Sequence, residues 1–333
     1  MDDSKPINYF YSLSGFLATL LAFFISRFFH VQDISTISWL ILILGVDVSH
    51  VYSTLYRTYF NKTQRLKLNK ILIFVPLVCF TVSLSLAFYR VELFWTVLAY
   101  LAIFHFSRQQ IGFLRRLCAV KDRFLNFLEF VIYTSTLGPI LLWHLQGQKS
   151  FNWFTKMDLF YLDQITSGYR EVLFACVQWV VILIFLAGIM ISVVCWFQKK
   201  ITIHVPLIVM STFISWYFPI VVFNSDFIFT MANVIAHGIP YLALVWSEEN
   251  RTQSTFRRAE LFFIFILLFA LLEEAFWDAL VWREQGTLFN SFYFLPHLQP
   301  SSAALSLVLA LLILPQMTHY ALDGFIWKKK YHQ

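Results

Sequence analysis

Residues 36–56 read TISWLILILGVDVSHVYSTLY. About 20 apolar residues are enough for a helix to cross a bilayer, and this run has that length. Its second half nevertheless holds Asp47, Ser49, His50, Ser53 and Thr54. Ionisable groups at membrane depth are costly, and they are retained where they act. Asp47, His50 and Thr54 stand at i, i+3 and i+7, so they share one helix face. The stretch reads as a membrane helix with a polar stripe turned away from lipid.

The rest of the chain has the same character. Of its 333 residues, 59% are hydrophobic and 13% charged, whereas a soluble domain carries about 25% charged residues. Further apolar stretches fall at roughly 8–29, 70–89, 92–112, 124–145, 171–198, 203–223, 226–247, 258–281 and 303–327, each near the length of a span. With 36–56 they predict an all-α fold, a polytopic transmembrane helix bundle of about ten spans. Residues 1–333 read as a single integral membrane domain with no soluble domain, no internal repeat and no low-complexity tract. Stretches three and nine are the least sharply bounded.

The loops set the orientation. Arg57, Lys62, Arg65, Lys67 and Lys70 follow the second stretch, and Arg115, Arg116, Lys121 and Arg123 follow the fourth. Lys199 and Lys200, then Arg251, Arg257 and Arg258, then Lys328, Lys329 and Lys330 follow the sixth, eighth and tenth. With ten spans all these groups lie on one side, and the positive-inside rule places both termini in the cytoplasm, N-in and C-in. The net charge of +6 is accounted for in this way, and no nucleic-acid partner is expected. The first stretch reads as a retained helix, since no small-residue cleavage site follows it. Cys79, Cys118, Cys176 and Cys195 are scattered and form no CxxC, so they read as small buried hydrophobes, not a disulfide framework.

The two longest outer loops, 146–170 and 282–302, are rich in aromatics. Phe151, Trp153, Phe154, Phe160 and Tyr161 stand in one, and Phe289, Phe292, Tyr293 and Phe294 in the other. Both read as interfacial aromatic-belt elements. Pro296 and Pro300 exclude a helix through the second. Glu273, Glu274 and Asp278 stand at the outer end of the ninth stretch; Glu273 and Glu274 could form a carboxylate pair but read rather as solvated near the outer surface.

Four histidines lie inside apolar stretches, each with polar neighbours within a helical turn. His50 has Asp47. His105 has Arg108 and Gln109 on its face. His237 has Asn233 at i−4, and His319 has Gln316 and Asp323 at i−3 and i+4. With ten spans the four helices all run from outside to inside. At about 1.5 Å per residue, His50 and His319 sit roughly 6 Å cytoplasmic of their helix centres, His105 about 4 Å, and His237 near the midplane. All four fall in one slab less than about 10 Å thick. His30, His144, His204, His297 and His332 lie at stretch ends, in loops or in the tail, where histidine is ordinary. The sequence His237-Gly238-Ile239-Pro240 predicts a broken hydrogen-bond ladder and a kink beside a cavity.

Imidazole suits iron, zinc, copper and nickel. A carboxylate such as Asp47 or Asp323 can add a ligand or orient a histidine, and would offset the charge of a cation. Asn233, Gln109, Gln316 and Arg108 stand close enough to support such a site. No stretch matches the HxxxH or HxxHH boxes of membrane desaturases, and one intramembrane histidine alone often only hydrogen-bonds a neighbouring helix. The layout resembles that of the bacterial membrane beta-carotene-cleaving dioxygenases in span count, chain length and one histidine per helix. That family binds iron through histidines from different helices; the likeness carries over no individual residue. The segments DVSHVYSTLYRTYF, FHFSRQQIGF and THYALDGFIWK look like signatures of a group of bacterial membrane proteins without an assigned activity.

These features favour a multi-histidine metalloprotein, an oxidoreductase with a transition metal bound by His50, His105, His237 and His319. Iron is preferred to zinc because an apolar site suits lipid oxidation. The expected partners are the lipid bilayer and a lipid or isoprenoid substrate, and the expected location is a bacterial inner membrane. Two alternatives stand beside it: a transporter whose His and Asp line a proton or substrate pathway, and a haem-binding membrane protein with paired axial histidines.

Overall fold

The computed structural model describes residues 6–31, 34–120, 123–147, 151, 153–155, 158–160, 168–249, 256–299 and 302–327. Tyr161, His332 and the cluster Lys328 to Lys330 lie outside the described residues. All regular structure among the described residues is helical.

The ten apolar stretches each become helix. We label them α1 (Pro6–Phe29), α2 (Thr36–Phe60), α3 (Lys62–Tyr89), α4 (Val91–Leu117), α5 (Arg123–Leu145), α6 (Arg170–Phe197), α7 (His204–Val222), α8 (Asp226–Glu249), α9 (residues 256–282), and the consecutive pair α10 (Ala303–Leu312) and α11 (Leu314–Ile326). Seven of them (α1, α2, α3, α5, α6, α7 and α8) are long and apolar enough to cross a membrane, or eight if the bent pair α10–α11 is one span. By length and composition the chain is therefore a multi-pass membrane protein. Helices α4 and α9 fall outside this set. Their lengths suffice, but α4 carries Glu92, His105, Arg108, Gln109 and Gln110, and α9 carries Arg258, Glu260, Glu273 and Glu274.

The helices are not uniformly α. Leu40–Val48 and Tyr56–Phe60 in α2, Phe218–Val222 in α7 and Asp278–Trp282 in α9 are π-helical. Such wide turns are rare and collect at functional sites. The first of them ends two residues before His50. Helix α8 runs on through Pro240, whose missing N–H removes one bond from its ladder. A 41° bend lies between α10 and α11, where Pro315 cannot donate to the preceding turn. His319 follows one turn later.

The chain falls into two compact units: residues 1–34 with 99–240, and residues 35–98 with 241–333. In the first, α1 packs on α7, and α5 packs on α6 and α7. Glycine sets the closest approach. A Cβ on Gly138 would come within 2.6 Å of Val181, and one on Gly188 within 2.6 Å of Val131. Small residues at helix crossings are how membrane helices gain contact, since lipid offers no hydrophobic drive between them. The core of this unit is aromatic, with Phe106, Trp143, Phe151, Trp216 and Phe229 all buried and Trp153 packed against them.

In the second unit, α3 packs on α10 and α11, and α2 packs on α9 and α11. Tyr52, Tyr241, Val245, Phe262, Ile266 and Phe289 make its main buried cluster. Hydrophobic side chains such as Ile73 and Phe74 on α3, or Trp179 and Leu183 on α6, face outward, as a lipid-facing surface requires.

The outer-loop aromatics do not all lie at an interface. Phe151 and Phe289 are buried in the cores, and the Trp143 indole donates to the Phe151 carbonyl at 3.0 Å. Phe160 and Phe294 are exposed. Asp158 accepts from the backbone N–H groups of Trp153, Phe154 and Thr155, closing that turn. Burial pushes the Asp158 carboxyl up, and these N–H groups oppose the shift.

Glu273, read as solvated, is in fact buried, and so is Asp278. Glu273 accepts from the Tyr52 hydroxyl at 2.6 Å and the Trp277 indole at 3.2 Å. Asp278 accepts from the N–H groups of Glu284 and Gln285, each at 2.7 Å, and from the Tyr293 hydroxyl at 2.8 Å. These donors compensate part of the cost of burial, a pairing that composition alone did not reveal. None of the four cysteines forms a disulfide; Cys79 and Cys118 are buried, whereas Cys176 is exposed.

Candidate metal centre

His50 stands on the α-helical part of α2 and His319 on α11. Their rings meet edge to face with centroids 4.8 Å apart. His105 on α4 and His237 on α8 meet in the same way, with centroids 5.0 Å apart. His50, His105, His237 and His319 are all buried, one pair in each unit, and they are the group of side chains that could hold a metal ion. Four imidazoles at this spacing could hold a transition metal. The donor set fits, because nitrogen-only ligation suits borderline first-row ions, and metal–nitrogen bonds of about 2 Å are reached by small ring movements.

Each ring is fixed by its surroundings. His237 stacks on Phe106 at 3.8 Å and 10°, and its backbone carbonyl accepts from Gln109 Nε2 at 3.2 Å. His319 Nδ1 lies 2.8 Å from Thr54 Oγ1, which leaves Nε2 as the ligand atom. The Tyr241 ring edge approaches both His50 and His319, at 5.7 and 5.2 Å between centroids.

The carboxylates stand just outside the imidazoles. Asp47 Oδ1 is 3.7 Å from His50 Nδ1, and Asp323 Oδ1 is 3.7 Å from His319 Nδ1. Both distances exceed a direct hydrogen bond. Asp323 instead accepts from the Tyr241 hydroxyl at 2.6 Å.

The remaining polar candidates are engaged nearby. Asn233 Nδ2 donates to the Ser215 and Phe229 carbonyls, at 2.7 and 3.3 Å. Gln316 donates to the Tyr320 hydroxyl at 2.7 Å. Arg108 is the exception. It is exposed, and its guanidinium donates to the Tyr133 hydroxyl at 3.3 Å. One residue along a helix turns the side chain by about 100°, and that carries Arg108 to the outer face of α4.

Tyr241 and Phe106 complete the surroundings and were not singled out from sequence. Tyr241 stands at i+4 from His237, a spacing visible in the chain. Phe106 follows His105 directly and could not be told from the other 37 phenylalanines by pattern. Of the remaining histidines, His144 lies between the Tyr100 hydroxyl (2.9 Å) and the Phe160 carbonyl (2.6 Å), and His204 contacts Ser12. Both roles are structural.

No family model matches the chain, and comparison with curated proteins and with solved structures returns no similar protein. The functional reading therefore rests on geometry.

Proposed function

We propose that the protein is a membrane-embedded metalloenzyme, with His50, His105, His237 and His319 as the ligands of one transition metal. The observation that carries this reading is the pairing of buried imidazoles, His50 with His319 and His105 with His237, in a group that could hold a metal ion.

Iron is the metal we assign, in an oxidoreductase acting on a lipid or isoprenoid drawn from the bilayer. When bound, the ion would supply redox and Lewis-acid chemistry. The chain's own part is to hold and shield it. Asp47 and Asp323 offset its charge at one remove, Gln109 and Phe106 hold His237, and the buried aromatics exclude water. Asn233 and Gln316 stiffen the helices that carry the ligands.

We further propose ten spans with both termini in the cytoplasm, α4 and α9 crossing despite the polar residues they carry. In a bacterium the inner membrane is the expected site. The basic loops support this orientation.

Metal analysis of protein purified in detergent without chelator tests the central claim. About one equivalent of iron or another transition metal per chain is expected. Less than about a tenth of an equivalent would sink the reading. His50→Ala and His319→Ala should each lower the bound metal, and unchanged content in both would show that these residues are not ligands.

A further inference from the structure

A hydrogen-bond chain leads away from His319 and ends on a carboxylate. His319 Nδ1 is 2.8 Å from Thr54 Oγ1. Thr54 Oγ1 is 2.5 Å from the Tyr241 hydroxyl. That hydroxyl is 2.6 Å from Asp323 Oδ1. Thr54, Tyr241 and His319 are all buried, at 0, 1 and 0% exposed. Asp323 also interacts with the Arg57 charge and hydrogen-bonds the Trp327 side chain. Arg57 is itself buried and lies over the Trp327 ring at 4.4 Å.

The donor inventory gives this chain one direction. A carboxylate only accepts, and a hydroxyl has one proton to give. Tyr241 therefore donates to Asp323, and its oxygen must accept from Thr54. Thr54 has then used its proton, so its oxygen must accept from His319. Only an Nδ1–H imidazole can provide that bond. The opposite order would need Asp323 itself to carry and donate the proton, a role open to a carboxylic acid and not to a carboxylate.

We propose that Thr54, Tyr241 and Asp323 form a one-way hydrogen-bond relay that fixes His319 as its Nδ1–H tautomer and presents Nε2 as a metal ligand. The relay's purpose rests on the metalloenzyme reading above, whereas its geometry does not. Thr54, Tyr241 and Asp323 are positioning residues, acting on the metal only through His319. Outer partners of this kind fix ring orientation and raise ligand basicity.

Thr54 allows a clean test. Thr54→Val keeps the side-chain volume and removes the hydroxyl; Thr54→Ser keeps the hydroxyl and removes a methyl. A packing role would be disturbed more by serine, and the relay more by valine. Two measurements are made on wild type, both Thr54 variants and Tyr241→Phe. The first is 15N NMR of histidine-labelled, metal-free protein in detergent, with the His319 signals assigned through His319→Gln. The second is a Co2+ titration followed by visible absorption.

Wild type and Thr54→Ser should show the Nδ1–H tautomer, and Thr54→Val and Tyr241→Phe should lose it. Co2+ affinity should fall about 10- to 100-fold in Thr54→Val and stay near wild type in Thr54→Ser. An Nε2–H tautomer in wild type overturns the relay, as does a Thr54→Val protein that binds like wild type while Thr54→Ser weakens. If wild type takes up no Co2+ but shows Nδ1–H that Thr54→Val abolishes, the relay stands and the metal reading falls.

Discussion

At the residue scale, the site depends on small groups that hold large rings. Phe106 lies flat on His237 at 3.8 Å, so its ring sets the plane of that imidazole. Phe106→Ala should weaken metal retention, and Phe106→Tyr should preserve it. Dialysis against a graded chelator series, with metal counted afterwards, distinguishes the two. Tyr52 plays the matching part for Glu273, whose buried carboxylate it meets at 2.6 Å. Tyr52→Phe leaves that acceptor with Trp277 as its remaining donor. The expected cost is about 1–3 kcal/mol of stability, read as a lower thermal midpoint in detergent. An unchanged midpoint would mean that Glu273 finds another donor.

At the element scale, departures from a regular α-helix place the ligands. Helix α2 is π-helical over Leu40–Val48 and reverts to α just before His50. Face assignments made at 3.6 residues per turn therefore do not extend upstream of that point. Pro315 bends α10 against α11 by 41°, and His319 lies on the far side of the bend. Pro315→Ala restores a donor and lets the pair straighten, which should displace His319 and lower metal content without unfolding the chain. Metal per folded protein, measured after size-exclusion chromatography, reports this. Where α5 crosses α6, Gly188 has no space for a side chain, since its Cβ would meet Val131 at 2.6 Å. Gly188→Leu should destabilise the protein by about 1–3 kcal/mol through overpacking, whereas Gly168, with nothing nearby, should tolerate alanine. Thermal unfolding of both variants gives the comparison.

At the scale of the whole molecule, the question is how many helices cross. Ten spans put the turns at residues 62 and 199 on the cytoplasmic side and residue 284 outside. If α4 did not cross, residue 199 would move to the opposite side from residue 62. Single cysteines at Lys62, Lys199 and Glu284 in a cysteine-free background, labelled with an impermeant maleimide in oriented vesicles, decide the matter. Residues 62 and 199 should label from one side and 284 from the other.

The chain by itself determined helix positions and membrane character, because a 20-residue apolar run admits few alternatives where lipid cannot satisfy the backbone. It also isolated His50, His105, His237 and His319 from the other histidines, because burial among apolar residues is visible locally. Which neighbours touch each imidazole was decided only by tertiary structure. Arg108 turned outward, Glu273 turned inward to Tyr52, and Tyr241 reached Asp323 across 82 residues. Such contacts depend on helix rotation and on π-turns and bends that shift it. A change of one residue in register turns a side chain by about 100°, and composition carries no record of that angle.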